Sequence, residues 1–419
     1  MSQHLLLRAA DQRSGMVRAV HDVPTTANDL PGLVNATVLP DAANPWQGVA
    51  GGVAWRDTAQ ARMAAVAEAL ERYCAGITAR HPRRRADLAG ETVIDEEKWS
   101  LFSRAQRTRP GFPWPMPMSP DDAFVKVYHL ATNEPAWVPQ EMLGLGIAEG
   151  RMRLPSTSSG LAAHLDSHQG PWLAMLRALQ EVLERDALSV TWLHSLGGAE
   201  WQLPADLAEV AEAAGARVHA FDLTQRWNPQ AVVAVAGRLD VEGRPRHGFG
   251  LACRATRDEA LRKAWLEWGQ SLRYADHLCH QARVAIPQAP GALREFSQHA
   301  AYYTAHPGGW EQLPLLAGRR PGGGQPVEAD GGAPAEVQLR QTVQALQAAG
   351  IDTYYRELTT TDVAQAGLRV VRVLAPQLTP LHADERAPFL GGRCTDVAWR
   401  YPGARPQGPF PNPWPHPLG

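Results

Sequence analysis

Three long segments of the chain show the apolar spacing of a helix. In the first, from Asp57 to Thr78, apolar residues recur every three or four positions along one face. The same periodicity predicts helices from Ser167 to His194 and from Thr256 to Gln281, and a shorter one over residues 335–349. We therefore expect three long helices, each with one apolar face, and a fourth nearer the C-terminus.

Shorter apolar segments between these helices are typical of strands. The glycine- and proline-rich stretch 305–334 predicts a flexible insertion, and residues 1–44 carry only weak signals. Because strands and long helices alternate irregularly, the pattern predicts a mixed α/β or α+β fold. The predicted strands are AFVKVYHL (123–130), AWVPQEM (136–142), ARVHAFDLT (216–224), QAVVAVAGRLD (230–240), TYYREL (353–358) and LRVVRVLAP (368–376).

Composition narrows the class of protein. The chain has 419 residues, of which 44% are hydrophobic and 20% charged, with a net charge of −2. This balance favours a packed globular protein and gives no global field for nucleic acid. The N-terminal apolar stretch is too short for a signal peptide, and no stretch reaches membrane-spanning length. With four scattered cysteines as well, we expect a cytoplasmic protein without nucleic-acid or membrane partners.

One acidic pattern occurs on all three long helices. The segment AVAEALERYC (65–74) is nearly repeated as ALQEVLERDA (178–187), and KAWLEWGQSL (263–272) resembles both. Residues three apart share one helix face, so each segment places two polar side chains side by side. The repeated residues are Glu68, Glu71 and Arg72 in the first segment, Glu181, Glu184 and Arg185 in the second, and Glu267 and Gln270 in the third.

The repetition indicates one interior site. Carboxylates squeezed between apolar neighbours need a partner, and a set of oxygen ligands suits Mg²⁺ bound together with phosphates. One turn before the first glutamate the helices carry Ala64, Arg177 and Lys263, of which the basic residues could contact phosphate oxygens. No glycine precedes a lysine, so a P-loop is excluded. For the first helix alone, a solvated polar face is the alternative, and for each arginine the alternative is a structural ion pair.

These residues resemble the YcaO superfamily, and within it the thiazole/oxazole-forming peptide maturases known as cyclodehydratase D components. The resemblance rests on ARMAAVAEALERY, on TSSGLAAHLDSHQGPWLAMLRALQEVLERDAL, on ALRKAWLEWGQSLR, on LTTTDVAQAGLRVVRVLAPQLTPL and on the tail PFPNPWPHPLG. It implies a catalytic domain over 45–404 with the 305–334 insertion, an N-terminal extension over 1–44 and a proline-rich tail over 405–419. The implied fold is a YcaO-type ATP-binding fold with repeated acidic helices.

The resemblance also implies roles for individual residues. ATP and Mg²⁺ would be the cofactors, with the metal held by Glu68, Glu71, Glu181 and Glu184. Nucleotide contacts would come from Ser159, Arg72, Arg185, Lys263, Glu267 and Gln270. In such enzymes the tail enters the active site, so Pro415, Pro417 and the carboxylate of Gly419 would take part in catalysis. Alternating prolines stiffen such a tail into an extended form, although a disordered tail is the usual reading of an isolated proline-rich end.

The implied reaction is ATP-dependent azoline formation in a ribosomally made precursor peptide. A Cys, Ser or Thr side chain attacks the preceding carbonyl carbon, ATP phosphorylates the oxygen, and phosphate leaves. The chain contains no evident leader-binding module, so we expect a separate partner protein to deliver the precursor. The resemblance also leaves room for a flavin-dependent dehydrogenase in the pathway and for a homodimer.

Three positions depart from the family pattern. Ala54 stands where a lysine is frequent, Ala64 replaces a serine, and Ser159 replaces an asparagine. The first two remove nucleotide contacts, which motivates an alternative in which the protein is a catalytically silent scaffold. Peptide thioamidation, also found in the superfamily, is the alternative enzymatic reaction.

Overall fold

The structure is a computed structural model of the chain. It describes residues 9–11, 13, 16–26, 29–42, 44, 47–77, 81–114, 119–145, 154–155, 157, 159–322 and 330–419. The strands of these ranges are β1 (Val17–Val23), β2 (Leu33–Pro40), β3 (Ala50–Trp55), β4 (Arg83–Arg84), β5 (Ala123–His129), β6 (Pro135–Pro139), β7 (Leu161–Leu165), β8 (Ala199–Trp201), β9 (Ala216–Asp222), β10 (Ala231–Val241), β11 (Arg244–Arg254), β12 (Arg320–Pro321), β13 (Tyr354–Glu357) and β14 (Leu368–Leu374).

Helices of the described ranges lie between these strands. They are α1 (Thr58–Ile77), α2 (Arg104–Arg107), α3 (Gly170–Leu193), α4 (Ala205–Ala213), α5 (Arg257–Asp276), α6 (Phe296–Ala305), α7 (Pro314–Ala317), α8 (Ala335–Ala348), α9 (Thr361–Gln365) and α10 (Val397–Arg400). Across the described ranges, no helix combines the length and the apolar character needed to cross a membrane.

The strands form three sheets. The first has the antiparallel order β1-β2-β3, and the second has the order β11-β10-β9-β8-β12. The third has the order β4-β5-β13-β14-β7, with β6 paired to β5. One strand of each sheet immediately precedes a long helix that packs against it: β3 precedes α1, β7 precedes α3, and β11 precedes α5. We call these pairs the first, second and third strand–helix units.

Glycines allow strand and helix to come unusually close in two of these units. A Cβ atom on Gly52 in β3 would lie 2.0 Å from the carbonyl oxygen of Ala61 in α1. The equivalent atom on Gly250 in β11 would lie 1.9 Å from the carbonyl oxygen of Ala264 in α5. Glycine is therefore required where the strand backbone touches the helix backbone.

The predicted mixed α/β class is confirmed. The four predicted helices appear as α1, α3, α5 and α8, and the third ends at Asp276 before a π-helical turn, His277–Gln281. The six predicted strand segments contain β5, β6, β9, β10, β13 and β14. The strands β1, β2, β3, β7 and β11 were not predicted, because glycine, alanine and polar residues interrupt their apolar alternation. The strands β4, β8 and β12 were not predicted either, because each has only two or three residues.

The glycine- and proline-rich segment contains ordered structure at its start. A 3-10 helix, Pro307–Gln312, and α7 bring Trp310 and Leu315 into the core, at 3% and 1% exposure. These apolar side chains outweigh the flexibility of the neighbouring glycines, so residues 307–321 form part of the packed structure. Residues 323–329 of the expected insertion lie outside the described residues, as do residues 1–8 of the expected N-terminal extension.

Candidate functional site

The acidic residues of α1 contact two different strand–helix units. Oε2 of Glu68 accepts a hydrogen bond from the backbone N–H of Gly51 in β3, at 2.9 Å. Oε1 of Glu71 accepts one from the backbone N–H of Ala163 in β7, at 2.7 Å. The first glutamate thus binds the strand of its own unit, and the second binds the strand of the next unit.

The acidic residues of α3 repeat this arrangement. Oε2 of Glu181 accepts hydrogen bonds from the backbone N–H groups of Gly160, at 2.9 Å, and Leu161, at 3.2 Å. Oε2 of Glu184 accepts one from the backbone N–H of Cys253 in β11, at 3.0 Å. The second unit therefore contacts the third in the way that the first contacts the second.

The third unit closes the cycle. Oε2 of Glu267 in α5 faces the backbone N–H of Leu251 in its own strand β11, at 3.5 Å. The side-chain nitrogen of Gln270 lies 3.0 Å from where a Cβ atom on Gly51 would stand, so Gln270 faces β3 of the first unit. We call the six residues arranged in this way the acidic ring: Glu68, Glu71, Glu181, Glu184, Glu267 and Gln270.

Basic side chains accompany the acidic ring. Arg72 lies 3.6 Å from Glu68, and Lys263 lies 3.1 Å from Glu267. Arg185 lies 3.6 Å from both Glu181 and Glu184. Most of these pairs join residues four apart on one helix, which is the spacing that brings side chains together.

Two carboxyl groups of the ring hold their protons unusually strongly. Burial raises the pKa of Glu71 to about 8; Arg72 and the Ala163 N–H oppose this rise, and Glu181 and Glu68 add to it. Burial also raises the pKa of Glu184 to about 8, with Arg185 opposing the rise and Glu267 and Glu181 adding to it. Carboxyl groups from three helices are thus near enough to influence one another's ionisation, as the predicted convergence requires.

The ring fits a hard cation by its chemistry, because its side chains offer oxygen atoms and the repulsion between its carboxylates would be relieved by positive charge. Within the described residues, no three acidic, histidine or cysteine side chains already stand together as a metal-binding group. Glu71 and Glu184 instead each give one oxygen to a backbone N–H. The roles of Glu68, Glu71, Glu181 and Glu184 as metal ligands stay predictions.

Arg177 and Arg254, of which Arg254 acts on Glu184, were not recognised as a pair from the sequence. Arg177 lies one turn before Glu181, and its Nη1 donates to Oε1 of Gln180 at 2.7 Å. Arg254 follows Cys253, and its Nη1 donates to the Cys253 carbonyl at 2.6 Å. Burial, and after it Arg254, lowers the pKa of Arg177 to about 10. Neighbouring guanidinium groups of this kind are suited to an anion such as phosphate.

The other predicted nucleotide contact and the two alanine positions fall near the ring. Ser159 directly precedes Gly160, whose positive φ of 84° and close approach to the Val373 carbonyl demand glycine. Ala54 is only 1% exposed in β3 and belongs to the core beside α1. Ala64 is exposed on α1. In the described residues, the basic groups that form ion pairs with ring carboxylates are Arg72, Arg185 and Lys263.

The aspartate after Arg185 has a structural role. Asp186 is fully buried and accepts two hydrogen bonds from the guanidinium of Arg400, of 2.6 and 2.9 Å. It also accepts from the backbone N–H of Thr379, at 2.7 Å, and from Gln225, at 3.1 Å. The sequence E-R-D-A thus places a site residue, Arg185, next to the residue that anchors its helix to the C-terminal segments.

The proline-rich tail packs into the protein. Pro415 and Pro417 are buried, and Trp192 Nε1 donates to the Trp414 carbonyl at 2.7 Å. Burial holds the pKa of the tail residue His416 well below its usual value, and His299, His382 and Arg185 lower it further. The charge of Arg185 thus acts on His416, and no hydrogen bond or ion pair in the described residues joins the tail to the acidic ring. Gly419 is exposed, and a Cβ there would meet the Cβ of Ala300 at 2.5 Å. Catalytic roles for Pro415, Pro417 and Gly419 stay predictions.

Fold and site together define a protein of mixed α/β class whose candidate site is a ring of carboxylates carried by three helices. The family model described as YcaO cyclodehydratase, ATP- and Mg²⁺-binding, matches residues 56–379, and the chain belongs to this family. ATP and Mg²⁺ are thus the ligands that the family description names. No curated protein matches the sequence.

Several solved structures share the fold at low sequence identity. A heterocyclase in complex with substrate and cofactor is 15% identical with a TM-score of 0.74; the match covers 97% of this chain and 57% of that chain. YcaO from Methanopyrus kandleri, bound with AMPPCP and Mg²⁺, is 19% identical with a TM-score of 0.61, covering 90% of this chain and 91% of that one. The E. coli microcin synthetase McbBCD complex is 14% identical with a TM-score of 0.60, covering 86% and 88%.

Proposed function

We propose that the protein is an ATP-dependent cyclodehydratase that forms thiazoline or oxazoline rings in a ribosomally made precursor peptide. The observation that carries this proposal is the acidic ring, in which buried and half-buried carboxyl groups from three units stand beside basic side chains. The proline-rich tail adds support, since its residue His416 is buried and within the electrostatic influence of Arg185.

In this proposal the acidic ring binds Mg²⁺ through Glu68, Glu71, Glu181 and Glu184. ATP supplies the phosphoryl group that turns the peptide oxygen into a good leaving group. Arg72, Arg185 and Lys263 neutralise phosphate charge, and Glu267 and Gln270 complete the wall of the site. The protein's own contribution is therefore positioning and charge neutralisation. Residues of the tail, Pro415, Pro417 and Gly419, exclude water and place a proton acceptor near the reacting peptide.

Partners follow from the same proposal. The chain spans 57% of the heterocyclase chain that it resembles and resembles one part of a synthetase complex. We infer that a separate protein binds the leader of the precursor and delivers it. The proposal also allows a flavin-dependent dehydrogenase that acts in the same pathway, and a homodimer of this chain. A microcin synthetase neighbour with its pro-peptide bound supports a peptide substrate.

The direct test incubates the protein with precursor peptide, partner protein and MgATP. Loss of one water mass per ring, with release of phosphate, is expected. A gain of sulfur for oxygen would instead identify thioamidation and reject azoline formation. Glu184→Gln should lower turnover at least about a hundredfold by weakening the metal–phosphate site. Glu209→Gln, which changes an exposed glutamate on α4, is the matched control and should leave turnover unchanged.

The second candidate is a catalytically silent scaffold, and Ala54 and Ala64 favour it because they lack the side chains that the family uses toward nucleotide. Calorimetric titration with ATP and Mg²⁺ separates the two candidates. Saturable binding that depends on Glu184 supports the enzyme, and the absence of binding supports the scaffold.

A further inference from the structure

Helix α6 presents two side chains to the tail. The hydroxyl group of Tyr303 donates to the carbonyl of Pro415, at 2.7 Å. One turn earlier, Nδ1 of His299 lies 3.0 Å from the carbonyl of His416, and the two imidazole rings are stacked with centroids 4.1 Å apart. Residues four apart share one helix face, so His299 and Tyr303 grip consecutive residues of the tail.

A loop holds the opposite side of the tail. Nε2 of His416 donates to the carbonyl of His382, at 2.6 Å. Nε2 of His299 lies 2.9 Å from the carbonyl of Ala383 and 3.7 Å from Oε1 of Glu385. His299, His382 and His416 are at most 4% exposed. This part of the tail therefore packs between α6 and residues 382–385, where it is buried from solvent.

The tail depends on donors from outside its own sequence. Prolines at 409, 411, 413, 415 and 417 have no N–H group, and a chain of this kind forms no internal hydrogen bonds. Its buried carbonyl oxygens must therefore be satisfied by the body of the protein. Trp192 satisfies Trp414 and Tyr303 satisfies Pro415. Nδ1 of His299 satisfies His416 in the tautomer that carries the ring proton on Nδ1.

We propose that His299 and Tyr303 are positioning residues that hold the proline-rich tail in place against α6 and thereby set the rate of turnover. The role in turnover rests on the proposed function, whereas the docking of the tail does not. Neither residue is assigned a contact with nucleotide, metal or peptide. Loss of either donor therefore acts through the tail and lowers kcat while the affinity for MgATP is kept.

Adjacent tyrosines provide a matched pair of variants. Tyr302 is also buried, but its hydroxyl group donates to the Gln288 carbonyl and not to the tail. Tyr303→Phe should speed hydrogen exchange of the tail amides, Phe410, Asn412, Trp414, His416 and Leu418, and lower kcat about tenfold, as expected for one buried hydrogen bond. Tyr302→Phe should change neither quantity.

Replacements of His299 separate its two contacts. The amide nitrogen of Asn stands near the place of Nδ1, and that of Gln near the place of Nε2. His299→Asn should therefore keep the bond to the tail and most of the activity, whereas His299→Gln should keep only the contact with Ala383. Circular dichroism checks that each variant is folded.

Exchange of the tail is measured on the full chain without nucleotide, and activity is measured with precursor, partner and MgATP. Faster tail exchange and lower kcat in Tyr303→Phe, with an unchanged ATP KM, support the proposal. Unchanged tail exchange in both Tyr303→Phe and His299→Gln overturns it, as does lost activity without faster exchange. If the wild-type protein processes no peptide, the proposed function fails, while the exchange data still decide whether the tail is held.

Discussion

Glu184 on the second unit accepts a hydrogen bond of 3.0 Å from the backbone N–H of Cys253 on the third unit. Glu71 makes the same kind of bond to Ala163 between the first and second units, at 2.7 Å. These bonds tie the positions of the site carboxylates to the packing of neighbouring strands. A change in strand packing should therefore alter the site even when it touches no site side chain.

The raised pKa of Glu71 predicts a pH dependence of stability. Its pKa is about 8 in the folded protein against an ordinary value of 4.5, so between these pH values the folded state holds a proton that the unfolded chain has released. The free energy of unfolding should thus fall as pH rises through this window, by up to about 1.4 kcal/mol per pH unit for this group. Glu71→Gln cannot titrate and should lose less stability.

Urea unfolding with EDTA at pH 5 and at pH 8 checks this expectation. The difference in unfolding free energy between the two pH values should be smaller for Glu71→Gln than for the wild-type protein. Equal differences for the two proteins would show that Glu71 titrates near its ordinary value.

Arg177 and Arg254 should bind nucleotide phosphate. In the described part of the chain neither guanidinium makes an ion pair with a carboxylate, and burial and then Arg254 lower the pKa of Arg177, with Glu259 opposing them. Arg177→Ala and Arg254→Ala should each weaken MgATP binding about tenfold or more, since hydrogen bonds to charged groups are strong. Arg262→Ala is the control, because Arg262 is exposed on α5 and pairs with Asp206 and Asp258. Calorimetry that gives one affinity for all four proteins would reject the assignment.

Gly250→Ala should destabilise the third unit. The new Cβ would stand 1.9 Å from the Ala264 carbonyl oxygen and 2.4 Å from the Trp268 nitrogen, so β11 and α5 would have to move apart. Overpacking of this kind costs about 1–3 kcal/mol or more. Gly308→Ala, where no atom lies within 4 Å of the added Cβ, should be neutral in the same thermal unfolding experiment. Similar melting temperatures for the two variants would contradict the close approach.

The Asp186–Arg400 ion pair should be essential to stability. Both side chains are 0% exposed, so Arg400→Met leaves a buried carboxylate without its partner and should cost about 3–5 kcal/mol. Asp186→Leu with Arg400→Met should cost less than the sum of the single changes. Arg340→Met breaks the exposed pair with Glu336 and should cost less than about 1 kcal/mol. Urea unfolding of Arg400→Met, Asp186→Leu, the double variant and Arg340→Met measures these costs. If the cost of the double variant equals the sum of the two single costs, Asp186 and Arg400 are not coupled.

Most of the correct predictions from the sequence rest on the helical spacing of apolar residues. The positions of Glu68 and Glu71 on one face of α1, and of Glu181 and Glu184 on α3, follow from local spacing alone. The strands β7 and β11 escaped prediction because β7 is short and rich in alanine and β11 carries glycines at its contact with α5. The alternation of apolar and polar residues predicts a strand poorly where small residues are needed to let the strand backbone approach a helix.

The parts of the site made by distant contacts could not be predicted. The donors to Glu71 and Glu184 are backbone N–H groups, which every residue except proline possesses, so no residue type marks them. Arg254 and His299 look ordinary in the sequence, and only the fold brings them to Arg177 and to the tail. The fold was predicted in class but not in strand order for the same reason.

The cyclic arrangement of the units has a consequence for synthesis on the ribosome. Glu71 and Ala163 are 92 positions apart, and Glu184 and Cys253 are 69 apart. A growing chain that has emerged only as far as α3 lacks β11 and α5, and contacts across such distances form late. An incomplete chain should therefore not bind or consume ATP until its third unit has packed against the other two.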